Sequence, residues 1–316
     1  MGRPGLLART LPAAATAAAS VVVACTPAPE GPAAPIATEN VAVGRAFDAS
    51  ASRQAVLDFV AAYAASPAEG IGALLGVVGG AELASWVRWL DVQHREFPGA
   101  VDASAEVRDV EFVGEVQSGD LIGAQVALSA SVVFRFAPEG DEIFDRVRIL
   151  DGPVSVAQTQ DRRFVVVDLL RDGVSMSDGI EIFDALGGRE GPLEVSVDSL
   201  HMFPPNWQFN VVIRNRSPRP WPLRPELSGL YIRADGEAFQ REAGTATGSL
   251  ETIPPGGQVD GILAYPMQDS AQGRVLTIAF GRAHDPLLFN FPLDGLVSVV
   301  PPPPPAAPGE AAGASS

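Results

Sequence analysis

The sequence predicts an α+β region, in which helices pack on an antiparallel sheet, followed by an all-β sandwich. Two observations predict this order. Apolar residues recur with a helical period between about residues 50 and 95, and with the strand period of two after about residue 105. From about residue 190 the chain consists of short alternating stretches divided by turn residues, which is typical of a β-sandwich.

The first residues of the chain have the organisation of an export signal. Arg3 and Arg9 form a basic start, and LPAAATAAASVVVA forms an apolar body shorter than the roughly 20 residues that span a bilayer. Cys25, the only cysteine, follows directly. The residues Val22-Val23-Ala24-Cys25 resemble the lipobox of bacterial lipoproteins. This resemblance implies cleavage before Cys25, attachment of diacylglycerol to its sulfur and acylation of the new N-terminus.

Lipidation explains why a single cysteine is kept at this place, since an exposed thiol is a liability in an oxidising compartment. The alternative is an ordinary secretory signal that is cut at an Ala-rich site. Two acyl chains hold a protein firmly, whereas one gives only marginal membrane binding. We therefore expect a bacterial protein that is exported and lipid-anchored at the cell membrane or cell envelope.

The charge of the chain restricts its partners. It has 22 basic and 38 acidic residues, a formal net charge of −16. This balance argues against nucleic acid and against electrostatic attraction to anionic lipid. The expected partners are the membrane, through the lipid anchor, and an envelope protein or a small apolar ligand.

Composition divides the chain into five segments. A lipoprotein signal peptide at residues 1–24 is followed by a tether rich in proline and alanine at residues 25–48. Residues 49–187 form the α+β region, and residues 190–296 form the sandwich, with the turn-rich LGGREG between them. Residues 297–316 form a disordered proline-rich tail.

In the α+β region, two stretches each place four apolar residues on one helical face. These residues are Val56, Phe59, Val60 and Tyr63 in the first stretch, and Leu83, Trp86, Val87 and Leu90 in the second. The intervening GIGALLGVVGG is predicted to be a buried hinge. The longest strand pattern places Val126, Leu128, Ala130, Val132, Phe134 and Phe136 on one face. FDRVRILDG, PVSVAQT and RRFVVVDLLRDG are further predicted strands, divided by turn residues.

Helices followed by a long sheet resemble the nuclear-transport-factor-two-like fold over about residues 49 to 172. Phe164, Val166, Asp168 and Arg171-Asp172-Gly173 are similar to an ending that is frequent in exported members of that family. The resemblance implies a cone, in which helices pack on a curved antiparallel sheet around a pocket. The candidates that it implies for the pocket lining are Tyr63, Trp86, Trp89, Phe112 and Phe134. The alternative is that these aromatic residues are simply core.

The second region has six predicted strands: LEVSVDSL, WQFNVVIRNRS, LSGLYIRADGEAF, GQVDGILAYPM, RVLTIAFG and PLLFNFPL. It resembles an immunoglobulin-like domain of unknown function that is common in bacterial surface lipoproteins. Asn215, the Asp235-Gly236 hairpin, the Pro255-Gly256 turn and the strand from Gly261 to Tyr265 carry this resemblance.

Motifs for chemistry are scarce. His94, His201 and His284 are far apart in the sequence, and the chain has no phosphate-binding glycine loop, no G-x-S-x-G and no zinc helix motif. His94 and Asp109 are a conceivable acid–base pair, although a structural role for both is favoured. We expect no catalytic residue, cofactor or metal. The favoured function is a non-catalytic binding or accessory module, and the alternatives are a cone-fold enzyme for a small apolar substrate and a structural spacer.

Overall fold

Strands in several antiparallel sheets make up most of the described chain, an arrangement compatible with a β-sandwich. The structure, a computed structural model, describes residues 48–96, 100–118, 121–136, 144–171, 174–232, 240–282 and 284–297. The expected signal peptide, Cys25, nearly all of the tether and of the tail, and the Asp235-Gly236 hairpin therefore lie outside the described residues.

Three helices open the described chain: α1 (Ala49–Glu69), α2 (Gly72–Val77) and α3 (Ala81–Glu96). Helix α1 begins at Asp48, whose carboxylate accepts hydrogen bonds from the backbone N–H groups of Ser50 and Ala51 at 2.8 and 3.2 Å. All eight residues of the two predicted apolar stripes are buried, which confirms both helices.

The glycine-rich stretch between the stripes was expected to be a buried hinge, but most of it is exposed and part of it forms α2; its buried residues are Leu74, Val78 and Gly79. The backbone N–H of Gly79 donates to the carbonyl of Val166 at 2.7 Å. A Cβ atom at residue 79 would lie 2.9 Å from a methyl group of Val165. Glycine therefore lets the chain between α2 and α3 lie directly against a strand.

A five-stranded antiparallel sheet follows, with its strands in sequence order. They are β1 (Ala100–Ser118), β2 (Leu121–Phe136), β3 (Phe144–Gln158), β4 (Phe164–Arg171) and β5 (Val174–Ser175). The predicted face of β2 is buried from Val126 to Phe134, whereas the opposite face is half-buried and ends in the exposed Arg135. The buried face of β2 packs in one hydrophobic cluster with α1 and α3.

Strand β3 corrects one detail of the sequence prediction. FDRVRILDG and PVSVAQT were expected to be separate strands, but both lie in β3, which continues through Gly152-Pro153. Proline is tolerated in a strand where its missing N–H faces an unpaired edge. Pro153 pairs with Ala127 of β2, and pairing with β4 begins only at Val154.

The rest of the chain forms sheets of six, four and two strands. The short elements are α4 (Met176–Gly179), β6 (Ile180–Ile182), β7 (Gly187–Glu190), β10 (Trp221–Pro222), β11 (Gly229–Ile232), β12 (Gln240–Glu242), β13 (Thr245–Ala246), a 3₁₀ turn (Gly248–Leu250) and β14 (Thr252–Ile253). The long strands are β8 (Leu193–Phe203), β9 (Asn206–Asn215), β15 (Gln258–Pro266), β16 (Arg274–Arg282) and β17 (Asp285–Pro292). All six predicted stretches contain a strand.

The larger sheets have the strand orders β13-β15-β9-β8-β6, with β7 added on β8, and β12-β11-β16-β17. A second hydrophobic cluster joins them and includes Trp207, Phe209 and Ile213 of β9 and Ile278 and Phe280 of β16. Because β6 and β7 pair with β8, the sheet begins before residue 190 and includes part of LGGREG.

Turn residues in this region act as the sequence predicts. Asn215 is buried at the end of β9, and its side-chain amide donates to the carbonyls of Arg219 and Pro254 at 2.6 and 2.9 Å. Its side-chain oxygen accepts from the backbone N–H of Ser217 at 2.9 Å. Asn215 is thus a turn residue that ties β9 to the turn at Pro254.

The six-stranded sheet is covered on two faces. On β9, Trp207, Phe209 and Val211 face the four-stranded sheet, while Gln208 and Asn210 face the other way. Side chains of α3 contact this second face on β8 and β9 and at its edge on β15. We call this contact between α3 and strands β8, β9 and β15 the seam.

Candidate functional site

Three of the five predicted pocket residues pack against one another. The ring of Tyr63 lies 5.6 Å from that of Trp86 and 5.6 Å from that of Phe134, the latter in an edge-to-face arrangement. The Phe59 ring lies 6.3 Å from that of Tyr63. All four side chains are buried in the first hydrophobic cluster. Burial raises the pKa of the Tyr63 hydroxyl, so it is neutral at physiological pH.

The other two predicted residues lie apart from this aromatic group. Phe112 is half-buried on β1, opposite Val126, and packs on the periphery of the same cluster. Trp89 lies on α3 at the seam, where its indole N–H donates to the side-chain oxygen of Gln208.

A narrow cleft of about 10 Å³, partly open to solvent, lies beside the aromatic group. It is lined by Phe59, Leu128, Leu169 and the β3 segment from Leu150 to Val154. One water molecule needs about this volume. A larger depression of about 530 Å³ is open to solvent and is formed by the turns at residues 269–272 and 294–297. There Asp294 already accepts a hydrogen bond from the backbone N–H of Gly273 at 2.5 Å.

A buried group of polar side chains lies at the centre of the seam. The hydroxyl of Ser85 on α3 donates to that of Ser199 on β8 at 2.7 Å and lies 3.0 Å from Nε2 of His201. The amide nitrogen of Asn210 on β9 lies 2.9 Å from the Ser199 hydroxyl and 3.1 Å from the same Nε2 atom. We call Ser85, Ser199, His201 and Asn210 the seam cluster.

His201 is neutral within this cluster. Burial and, to a smaller extent, the positive charge of Arg171 together lower its pKa from the ordinary 6.5 to about 3. Because the Asn210 amide donates to Nε2, the proton of the neutral ring lies on Nδ1. In the described part of the chain, Nδ1 of His201 and the side-chain oxygen of Asn210 have no hydrogen-bond partner.

Arg171, the arginine of the predicted closing motif, lies between two aromatic rings beside the cluster. Its guanidinium carbon is 4.6 Å from the ring centre of Trp89 and 4.7 Å from that of Phe203. Asp168 of the same motif accepts hydrogen bonds from the Ser175 hydroxyl at 2.6 Å and from the backbone N–H of Ser177 at 3.1 Å. The motif thus joins β4 to α4 and to the seam.

At the rim of the seam, charged side chains at the end of α3 contact the 3₁₀ turn and β15. The carboxylate of Glu96 accepts hydrogen bonds from the backbone N–H groups of Gly248 and Ser249 at 2.7 and 3.0 Å. Arg95 lies 3.6 Å from Asp260 in a half-exposed ion pair. The rim therefore attaches α3 to the 3₁₀ turn and to β15.

Ser85 and His201 have the separation of a nucleophile and its base, but not the surroundings. Such a pair needs access for substrate and a third group that orients the base. Ser85 is 7% exposed and His201 1% exposed. Both side chains are therefore shielded from solvent, and the seam cluster joins a helix to a sheet.

The remaining candidates for chemistry are not brought together. Within the described ranges, no hydrogen bond or ion pair joins His94 to Asp109, and Asp109 lies exposed at a bulge of β1 with φ of 52°. No group of three or more metal-ligating side chains is present among the residues that the structure describes. No helix in this part of the chain is long and apolar enough to cross a membrane.

One exposed segment stands out on the five-stranded sheet. Residues 144–153 of β3, which we call the β3 edge, pair with β2, but β4 does not extend along them. Every residue from Asp145 to Ile149 is exposed, and Val147 and Ile149 are 54% and 72% exposed. Apolar side chains therefore lie in solvent on a strand whose outer side has no neighbour in the described sheet.

The sequence did not predict the seam cluster. Ser85, Ser199, His201 and Asn210 belong to four distant positions whose meeting depends on how α3 packs on the sandwich. The local signal is a break in the alternation of β8, where a bulge lies between Val197 and Ser199 and every residue from Ser199 to Phe203 is buried. A run of consecutive buried residues indicates a strand that is covered on both faces.

No family model, curated protein or solved structure matches this chain. What the protein does must be inferred from its own residues.

Proposed function

We propose that this protein is a lipid-anchored envelope protein at the outer face of a bacterial membrane, and that it is a non-catalytic binding or accessory module. One observation carries the proposal. Three of the five aromatic residues that would line a ligand pocket, Tyr63, Trp86 and Phe134, pack together in the first hydrophobic cluster instead. A filled interior favours binding through the outer surface, and the partner that suits this is an envelope protein.

We further propose that residues 49–187 contain a nuclear-transport-factor-two-like cone and that residues 190–296, joined by β6 and β7, which begin before residue 190, form an immunoglobulin-like domain. The order of helices and sheet supports the first assignment, and two packed sheets with a buried turn asparagine support the second. In this proposal the tether lifts both regions from the membrane. A fold of either kind does not by itself confer an activity.

The anchor is tested by the variant Cys25→Ser. We expect loss of lipidation, so that the protein is released to the medium or remains uncleaved. Membrane fractionation and the size of the mature protein measure this. A variant that stays on the membrane and matures to the normal size would reject the lipid anchor.

Binding through the surface is tested by cross-linking in intact cells. A photoreactive amino acid is placed at one of three exposed apolar positions, Val113, Ile149 or Leu288, which are 61%, 72% and 44% exposed. We expect a defined protein adduct from at least one position. The Cys25→Ser variant provides the control, since loss of the anchor should reduce adduct formation with a membrane-bound partner. Failure of all three positions to give an adduct would reject the binding function.

A further inference from the structure

The two long strands that leave a side of the five-stranded sheet unpaired differ in regularity. The pairing of β1 with β2 shifts register between Arg108 and Glu111 and again between Phe112 and Gly114. Bulges of this kind hinder the addition of another strand. The β3 edge pairs with β2 without any shift of register, from Phe144 to Pro153. It is therefore the regular edge, on which a further strand can form hydrogen bonds.

The side chains of the β3 edge alternate between the two faces of the sheet. Arg146 and Arg148 lie opposite Phe134 and Val132 of β2, so they share the face of the first cluster. Val147 and Ile149 lie on the other face, between Asp145, which forms an ion pair with Arg135 at 3.2 Å, and Asp151. A strand that pairs here has one row of side chains next to two arginines and the other row next to two exposed apolar residues.

We propose that the β3 edge binds an extended segment of a partner protein, in which acidic and apolar residues alternate, by adding it to the sheet as a strand. Main-chain hydrogen bonds hold such a segment, and its alternating side chains provide specificity. Acidic residues pair with Arg146 and Arg148, and apolar residues cover Val147 and Ile149. This inference rests on the proposed binding function and names the class of partner.

Charge argues against a second copy of this chain as the occupant. Antiparallel pairing of two copies centred on Arg148 places that residue opposite itself. Pairing centred on Val147 places Arg146 opposite Arg148. Like charges directly opposite on a sheet are destabilising. Arg146, which lies 5.7 Å from the Phe136 ring centre, and Arg148 are both exposed, and their row of the β3 edge contains no carboxylate, so this row favours acidic residues opposite it.

The test measures binding of synthetic peptides to the full chain by fluorescence anisotropy. One peptide alternates valine and glutamate, and its control alternates valine and lysine. We expect the acidic peptide to bind. The affinity of the basic peptide should be lower by roughly tenfold or more. N-methylation of alternate amides in the acidic peptide should abolish binding, because it removes main-chain donors.

Two double variants complete the test. Arg146→Glu with Arg148→Glu should reverse the preference between the two peptides. Val147→Ser with Ile149→Ser should lower the affinity for the acidic peptide about tenfold. The matched controls are Leu75→Ser on α2 and Arg282→Glu on β16, both exposed, and each should bind as the unaltered protein does.

Three results would overturn the inference: no binding of the acidic peptide, equal binding of both peptides, or a preference that survives charge reversal. A dimer of the full chain that dissociates in the Arg146→Glu, Arg148→Glu variant would show that a second copy occupies the edge instead. Adducts from Val113 or Leu288 without any from Ile149 would reject the β3 edge and leave the proposed binding function intact. The peptide measurement needs no lipid anchor, so failure of the anchor leaves it unaffected.

Discussion

Phe134 is the residue at which the filled interior of the first region has its clearest energetic consequence. Its ring meets the Tyr63 ring edge to face at 5.6 Å, and the side chain is buried at the end of the apolar row of β2. In a filled interior, removing this ring opens a cavity. In a hollow one, the ring would border empty or solvated space.

We expect Phe134→Ala to lower the free energy of unfolding by about 3 to 5 kcal/mol, the usual cost of deleting a buried phenylalanine. Chemical denaturation without any ligand measures this loss. Phe112→Ala is the matched control, because Phe112 is only half-buried and should cost less. If Phe134→Ala cost no more than Phe112→Ala, the interior would be more open than the packing indicates.

At the residue scale the sequence predicts burial better than contact. The eight stripe residues are buried because their spacing alone puts them on one side of a helix, whatever that helix packs against. The seam cluster needs the register of β8 against β9 and the placement of α3 on both. No pattern in a single sequence carries that information, since the four residues come together only through tertiary packing.

Among the elements, α3 has the most constrained position. Leu83, Trp86 and Leu90 belong to the first hydrophobic cluster, and Ser85 and Trp89 reach the six-stranded sheet. Helix α3 therefore packs against both the first hydrophobic cluster and the six-stranded sheet. His201 on β8 contacts Ser85 of α3, and its titration makes the contact between α3 and the six-stranded sheet sensitive to acid.

We expect the pH dependence of stability to change in the variant His201→Gln. In the folded protein burial depresses the pKa of His201 from its ordinary value of 6.5 to about 3. Below about pH 6.5 the unfolded chain therefore binds a proton that the folded chain does not, and stability falls as the pH falls toward 3. The slope is about 1.4 kcal/mol per pH unit at most.

Urea denaturation at several pH values between these limits measures the effect. The variant should lose less stability than the unaltered protein over this range. His284→Gln is the control, because His284 is exposed, and it should follow the unaltered protein. Burial also lowers the pKa of His94, so some acid sensitivity remains in the variant. Parallel curves for His201→Gln and the unaltered protein would contradict a neutral buried His201.

The boundaries of β2 were predictable because one face of this strand is buried. The alternation of β2 defines both its extent and its inner face. The boundary expected at Gly152-Pro153 was wrong because these residues break a strand only when it has neighbours on both sides. Whether a neighbour is present is set by β4, which the local sequence of β3 does not encode.

At the scale of the whole molecule, two hydrophobic clusters are joined by a largely polar seam. Among the described residues, the first cluster takes Phe203 and Ile262 from beyond residue 190, and the second takes Phe183 and Leu186 from before it. Each region therefore contains nearly all of its own core. The division at LGGREG remains a prediction, and it has a direct test.

Cutting the chain between Gly188 and Gly191 should leave two pieces that fold separately and bind each other. Each keeps its own apolar cluster, while the seam and the pairing of β6 and β7 with β8 favour reassociation. Heteronuclear NMR spectra of each labelled piece, alone and with its unlabelled partner, measure both properties. Two unfolded pieces would mean that the chain is one cooperative unit. Two folded pieces that do not bind each other would mean that the seam contributes little to the association of the two regions.

The separation along the chain between the two sides of the seam has a consequence for synthesis. Ser85 and Ser199 are 114 residues apart. At about 5 to 20 residues per second, the ribosome needs roughly 6 to 23 s to make the second residue after the first. During that interval α3 has emerged, but the sheet that covers Ser85 and Trp89 does not exist. The face of α3 that carries Ser85 and Trp89 thus stays uncovered until β8 and β9 have been synthesised.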